Sequence, residues 1–384
     1  MLKQFLLVSA ICFATQTSAK LDTLPEEFSD FSLDRDITIS YDDLDMLLDM
    51  TVIDLGRSDR RFRKSKANIG TRMRAHKNND TALEANRFFY EEVTTSKLKE
   101  GFHKVRVSLE KVPDQVPLNA LVLDEQLAYW LNLYTTALLE KLIEHYPVID
   151  TQELLFGEQS ILDEEFIHVA GYQLSLNDIQ HNIVFKKFGK NKPIVMYGFH
   201  QGNIGSPNLR KEAYKGPEVY HQLVENGEEF VNSNRGMQVK GKNKLYLSLY
   251  YKQTEALFDD FENQLKNHIE DYTEGDLKNS VELADNFQLS IDDWGINDLY
   301  RTERTFGAST ATNRAALLNA VASASGDVGV GAVNSSYISD AFMERTVEFG
   351  RFPPEVWEKL KQLNTKRKEN RGSVKIKDLD ANQE

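Results

Sequence analysis

The chain is poorest in cysteine. Cys12 is the only one in 384 residues, so no intrachain disulfide framework and no cysteine-rich metal site can be built. Nine prolines and 21 glycines exclude collagen-like and proline-rich architectures. Beyond the N-terminus no stretch approaches the ~18 apolar residues that a spanning helix requires. Basic residues are also in deficit, with 46 Lys and Arg against 59 Asp and Glu, a formal net charge of −13. That balance argues against general nucleic-acid binding, where clustered cations must neutralise phosphates. With 41% hydrophobic and 27% charged residues, the chain has the composition of a folded protein rather than a disordered one.

Residues 1–19 read as a secretory signal peptide. Lys3 supplies the positive start, Phe5 to Ala14 is apolar, and Thr17-Ser18-Ala19 offers small residues for cleavage. The bulky Ile11 before Cys12 argues against a lipid anchor there. Cleavage after Ala19 removes Cys12 and leaves a cysteine-free mature chain. The expectation is a soluble periplasmic or secreted protein.

Residues 20–40 form an acidic lead-in. Leu44, Leu47, Leu48 and Val52 recur at helical spacing within Tyr41 to Asp54. A basic run follows: nine Lys or Arg and one acid between Arg57 and Lys77. It reads either as a solvated loop or as a polyanion-binding face through Arg57, Arg60, Arg61, Arg63 and Lys64. Two helices are expected over 81–111. The next helix, with Asp124 as its N-cap, runs to about His145 and is apolar on nearly all sides, which marks a buried central helix. His145 reads as a C-terminal helix cap.

A strand pair is expected at Phe166–Val169 and Tyr172–Leu174, then a helix opened by a Ser175/Asp178 capping box. Ile194 to Phe199 reads as a buried strand and Glu218 to Val231 as a helix. A hairpin is expected at Met237–Val239 and Leu245–Tyr250, then helices at Gln253–Tyr272 and near Leu277–Asn286. Seventeen of the thirty residues from Gly307 to Ser336 are Ala, Gly or Ser, which favours a linker. The reading is a single α+β domain over 41–300, helix-rich, with a small sheet around the central buried helix. Residues 301–384 would form a linker, a short helix and a polar tail.

Asp124-Glu-Gln-Leu-Ala-Tyr-Trp-Leu-Asn-Leu-Tyr, ending Glu144-His145-Tyr146-Pro147, resembles the helix of the domain of unknown function 547 family. Three further segments resemble that family in the same order: Leu174 to His181, Pro207 to Tyr214, and Asp293-Trp294 with Asn297. The resemblance covers roughly Asp42 to Tyr300 and implies a helix-rich α+β domain, without a firm activity. Many members carry a histidine and two cysteines around the third segment. Here Met196, Gln201 and Ser206 take those positions, so any thiol or metal chemistry built on them is missing.

His181, at the edge of an apolar helix face beside Val184 and Phe188, is a candidate general base or a core-edge histidine bonded to a carbonyl. Asn132, in the most apolar part of the central helix, either ties a loop to the core or orients a catalytic group. The loop 201–206 is the natural place for a site, since Gly202 and Gly205 allow close backbone approach to a ligand. Gln201, Gly202, Asn203 and Arg210 are the candidate ligand-binding residues. Ser206 is a nucleophile only if a base lies within reach, and no Gly-x-Ser-x-Gly elbow surrounds it. No His-Glu-x-x-His pair, Walker loop or dinucleotide fingerprint is present, so no metal or cofactor is expected. The pairs Asp42-Asp43, Asp259-Asp260 and Asp292-Asp293 read as solvated acids. The leading expectation is an exported protein binding a small-molecule or envelope-polymer ligand at a cleft formed by the loop 201–206 and His181. The alternative is a thiol-independent hydrolase or transferase using His181 as base.

Overall fold

In a computed structural model of the chain, residues 24–34, 37–58, 60, 81, 84–240, 244–284, 286–299, 351 and 365 are described. The signal-peptide reading of 1–19, most of the basic run and almost all of 301–384 lie outside them.

A short helix α1 (Glu26–Ser29) buries Phe28 against the ring of Trp130. Helix α2 (Asp42–Thr51) turns its leucines inward as their spacing predicts, and ends where Val52 turns extended. Its continuation β1 (Val52–Ile53) pairs antiparallel with β2 (Arg87–Phe88). Helices α3 (Tyr90–Thr95) and α4 (Leu98–Glu110) follow, then α5 (Val112–Gln115).

Helix α6 (Leu123–His145) is the hub: 18 of its 23 residues are buried, so apolar neighbours must cover it on every side. It starts earlier than the Asp124 cap predicts. Val122 takes the N-cap position, and Asp124 instead places negative charge in the first turn, where the helix dipole favours it. At the other end His145 Nδ1 lies 2.9 Å from the Lys141 carbonyl.

After α7 (Gln152–Phe156), the hairpin β3 (Ile167–Val169) and β4 (Tyr172–Leu174) forms at the expected positions. The Ser175/Asp178 box is reciprocal: Asp178 N–H donates to Ser175 Oγ and Ser175 N–H to Asp178 Oδ2, each at 3.0 Å. The helix it opens is wound as a π-helix over Asp178–Phe185, closing with α8 (Lys186–Phe188).

The strand expected at 194–199 is a 3-10 helix, Pro193–Gly198. A six-residue apolar run carries no period that separates strand from buried helix, and Pro193 suits a helical start. Helix α9 (Val219–Val231) packs against this segment. The hairpin β5 (Met237–Lys240) and β6 (Lys244–Ser248) follows. The helix expected over 253–272 is divided. A 3-10 stretch Leu249–Leu257 ends before Asp259, and α10 (Phe261–Tyr272) restarts under an Asp260 N-cap whose side chain accepts from Asn263 N–H. Helix α11 (Asp276–Glu282) ends early. Asn286–Ile291 is strand β7, which joins β6 in parallel to complete a three-stranded sheet.

Asp43 corrects another expectation. It is 3% exposed and holds Arg351 through two hydrogen bonds of 2.8 Å. It is therefore a buried ion-pair partner and not a solvated acid. No helix among the described residues is long and apolar enough to cross a membrane.

Candidate functional site

The loop after the Pro193–Gly198 turn is built into the interior. His200, Gln201, Gly202, Asn203, Ile204 and Ser206 are all buried. From Gly202 to Gly205 the chain runs against residues 293–297. Ile204 N–H donates to the Gly295 carbonyl and Gly205 N–H to the Asp293 carbonyl, each at 2.9 Å; Asn297 N–H donates to the Gly202 carbonyl at 3.0 Å. The two glycines serve this packing. A Cβ on Gly202, which has φ +75°, would lie 2.2 Å from Leu142 Cδ1; one on Gly205 would lie 3.0 Å from the Asp293 backbone.

His200, which the sequence reading passed over, organises the loop. Its Nδ1 lies 3.0 Å from the Pro207 carbonyl and its Nε2 accepts Gly202 N–H at 3.0 Å. A neutral imidazole meets both contacts only with the proton on Nδ1. Burial supports that state, holding the pKa down to about 4, with the Arg235 charge acting in the same direction. Ser206 Oγ lies 3.4 Å from Nδ1, the protonated nitrogen, so His200 has no lone pair there to take the serine proton. Ser206 instead donates to the Asn203 carbonyl at 3.0 Å and accepts Gln201 N–H at 3.1 Å. The Gln201 side-chain amide exchanges hydrogen bonds with that of Gln253. Beneath the loop, Arg235 is 0% exposed; it donates from Nε to the Ser206 carbonyl and pairs with Glu229.

Asn132 ties a distant segment to α6. Its Nδ2 donates to the Tyr214 carbonyl and its Oδ1 accepts Tyr214 N–H, both at 2.8 Å. Asn132 and His200 face a void of about 10 Å3, room for at most one water. His181 sits on the π-helix opened by the capping box. Its ring stands edge-on to Phe185 at 5.1 Å, and Phe185 in turn meets Phe199 at 5.5 Å. No hydrogen bond joins His181 to the 201–206 loop among the described residues. Burial lowers its pKa, with Asp163 opposing. Of the basic run, Arg57 pairs with Glu228 and Glu274. Arg60 donates to the carbonyls of Asn232, Ser233 and Met237. Arg61, Arg63 and Lys64 lie outside the described residues.

Arg210 brings the loop's far end to an open cleft of about 540 Å3 between α2, the 208–212 segment and α9. Among the described residues six carboxylates line it (Asp45, Asp49, Asp54, Glu212, Glu225 and Glu229) against three cations, Arg57, Arg210 and Lys211. Asn86, Asn208 and Asn226 supply further polar lining and bond one another: Asn86 N–H donates to Asn208 Oδ1 at 2.9 Å, and Asn226 Nδ2 to the Asn208 carbonyl at 3.1 Å. The Arg210 guanidinium spans Glu212, Glu225 and the Gln222 carbonyl, while its Nε is buried without a hydrogen-bond partner. Burial raises the Glu229 carboxyl, opposed by Arg235. Composition alone could not reveal this cleft, because its acids come from segments more than 150 residues apart. Among the described residues no three His, Cys, Asp or Glu side chains are grouped to hold a metal ion.

The architecture is thus a helix-rich α+β domain with a sealed polar loop and an open acidic cleft beside it. Residues 118–231 match the family described as "Protein of unknown function, DUF547". The match spans α6, the Ser175 capping box, the 201–206 loop and α9. No curated protein and no solved structure gives a significant match.

Proposed function

We propose that the protein is an exported binding protein whose acidic cleft beside Arg210 takes a small ligand carrying positive charge. One observation carries the reading: an open cleft of about 540 Å3 with carboxylates in two-fold excess over cations among the described residues. Its size falls in the range of small-molecule sites, and its field favours cationic ligands. The contrast with the 201–206 loop supports it further, since the loop's polar groups are buried and, Asn203 Nδ2 apart, bonded within the fold. Export rests on the sequence of residues 1–19.

Calorimetry on the full chain at low salt tests the cleft, with spermidine and lysyl-lysine as probes and citrate as control. Both cations bind, citrate does not, and the double change Asp49→Asn with Glu225→Gln weakens binding at least tenfold. Absence of heat with both cations, or binding indifferent to the double change, refutes the reading. Export is tested separately by mass spectrometry of the envelope fraction: an intact Met1 terminus there would refute it.

A further inference from the structure

A second cleft, of about 710 Å3, lies between residues 185–194 and 256–272, away from the Arg210 cleft. Its two walls touch at Gly189, where a Cβ would stand 2.3 Å from Leu257 Cδ2.

His268, on α10, lines this cleft and is 7% exposed. Its ring is held by Tyr197, stacked at 5.7 Å, and by Tyr272 at 4.8 Å. Aromatic packing fixes the ring but satisfies neither nitrogen. Nε2 is buried with no hydrogen-bond partner, and no hydrogen bond to Nδ1 is present among the described residues. Buried polar atoms are nearly always paired; Nε2 is closed to solvent, so the nitrogen that a molecule in the cleft can bond is Nδ1. Burial holds the imidazole neutral at pH 7, with its pKa lowered to about 4, so it offers one donor and one acceptor.

The cleft also presents charge of both signs. Lys190 has no ion-pair or hydrogen-bond partner among the described residues, and the same holds for the carboxylates of Asp259 and Asp271. Lys192 differs, since its ammonium sits 3.7 Å over the Tyr220 ring. The partly buried side chains of Leu257 and Phe258 line the same cleft. An anion alone would leave the two carboxylates unanswered, and a cation alone would leave Lys190 unanswered. An apolar molecule would bury the imidazole with its nitrogens still unpaired.

We propose that this cleft binds a zwitterion with a large apolar side chain, an α-amino acid. Its carboxylate meets Lys190, its ammonium meets Asp259 and Asp271, its side chain covers Leu257 and Phe258, and the His268 imidazole bonds its polar end.

The test is calorimetry on the full chain carrying Asp49→Asn with Glu225→Gln, which weakens cation uptake by the Arg210 cleft, with L-phenylalanine, phenethylamine, which lacks the carboxylate, and 3-phenylpropionate, which lacks the ammonium. L-phenylalanine binds with Kd ~0.1 mM, and each analogue binds about tenfold more weakly or worse. Lys190→Ala and Asp271→Asn each weaken L-phenylalanine binding about tenfold without moving the thermal midpoint of the free protein. The His268 ring-proton NMR signals shift on titration. The double change, in the other cleft, leaves L-phenylalanine binding here unchanged, which separates the two sites. The proposal is overturned by no heat from L-phenylalanine at on the order of 10 mM. It is equally overturned by analogues that bind as tightly, or by both variants binding like the parent chain.

Discussion

The 200–207 loop and the two open clefts spend polar residues in opposite ways. In the loop, His200, Gln201 and Ser206 are buried and answer one another, and the backbone of 202–205 is bonded to 293–297. In the clefts, Lys190, Asp259, Asp271 and part of the Arg210 guanidinium keep unmet bonding capacity. The loop's glycines and buried amides resemble a ligand site in sequence, yet their bonding makes them a joint of the scaffold. What distinguishes a site from a joint is spare hydrogen-bonding capacity beside open space, and residue type alone does not report it.

The sharpest way to break this contrast is at the loop's foundation. Arg235→Leu leaves Glu229 buried without its partner and the Ser206 carbonyl without its donor. A loss of ~3–5 kcal/mol in urea unfolding is expected, as for other buried pairs broken on one side. A loss under about 1 kcal/mol would mean that the loop does not depend on this pair. Asn132→Ala removes both bonds to Tyr214 inside the core and should cost ~2–4 kcal/mol.

The imidazole at the centre of the loop gives a pH test. His200 has a folded pKa of about 4, below the ordinary 6.5. The unfolded chain therefore binds its proton first, and stability contributed by the neutral ring is present above pH 6.5 and is lost as pH falls toward 4. The shift amounts to ~3 kcal/mol at most. His268 adds a loss of the same sign, since its folded pKa is also about 4. Replacing His200 by Gln should flatten the acid limb of a pH–stability curve by about half. An unchanged limb would place the acid sensitivity elsewhere.

Glu125 sharpens the comparison from the opposite side. Burial raises its carboxyl to about 7, although Ile39 N–H donates to it at 2.8 Å. Its neutral form is favoured in the fold, so that contribution is intact below pH 4.5 and fades as pH rises through 7. Glu125→Gln should remove this fading, read from thermal midpoints at pH 5 and pH 8. The smallest effect belongs to the open surface: Asp49→Asn should shift stability by no more than ~0.5 kcal/mol, because its bond to Lys211 is exposed. Its effect on cation binding should be far larger than that.

Several features were legible in the residues themselves. The continuous apolar helix 123–145 had to be central, because no face of it tolerates water. The Ser175/Asp178 box and the 167–174 hairpin rest on local chemistry and appear where the pattern puts them. Other features were not legible. Residues 286–291 alternate polar and apolar, yet they become a strand only because β6 lies alongside to accept them. The 193–198 segment is apolar in any conformation and takes its shape from Pro193 and α9. His200 carried no period or motif, and only its two bonds across the loop reveal its part.

The sequence by itself determined which segments must be buried and where local caps and turns fall, because those follow from side-chain hydrophobicity and from bonds between near neighbours. The tertiary structure alone decided which polar residues are consumed and which stay available. That outcome depends on partners brought in from far along the chain, such as Tyr214 for Asn132 and Arg351 for Asp43. A linear pattern lists donors and acceptors, but only three-dimensional packing pairs them.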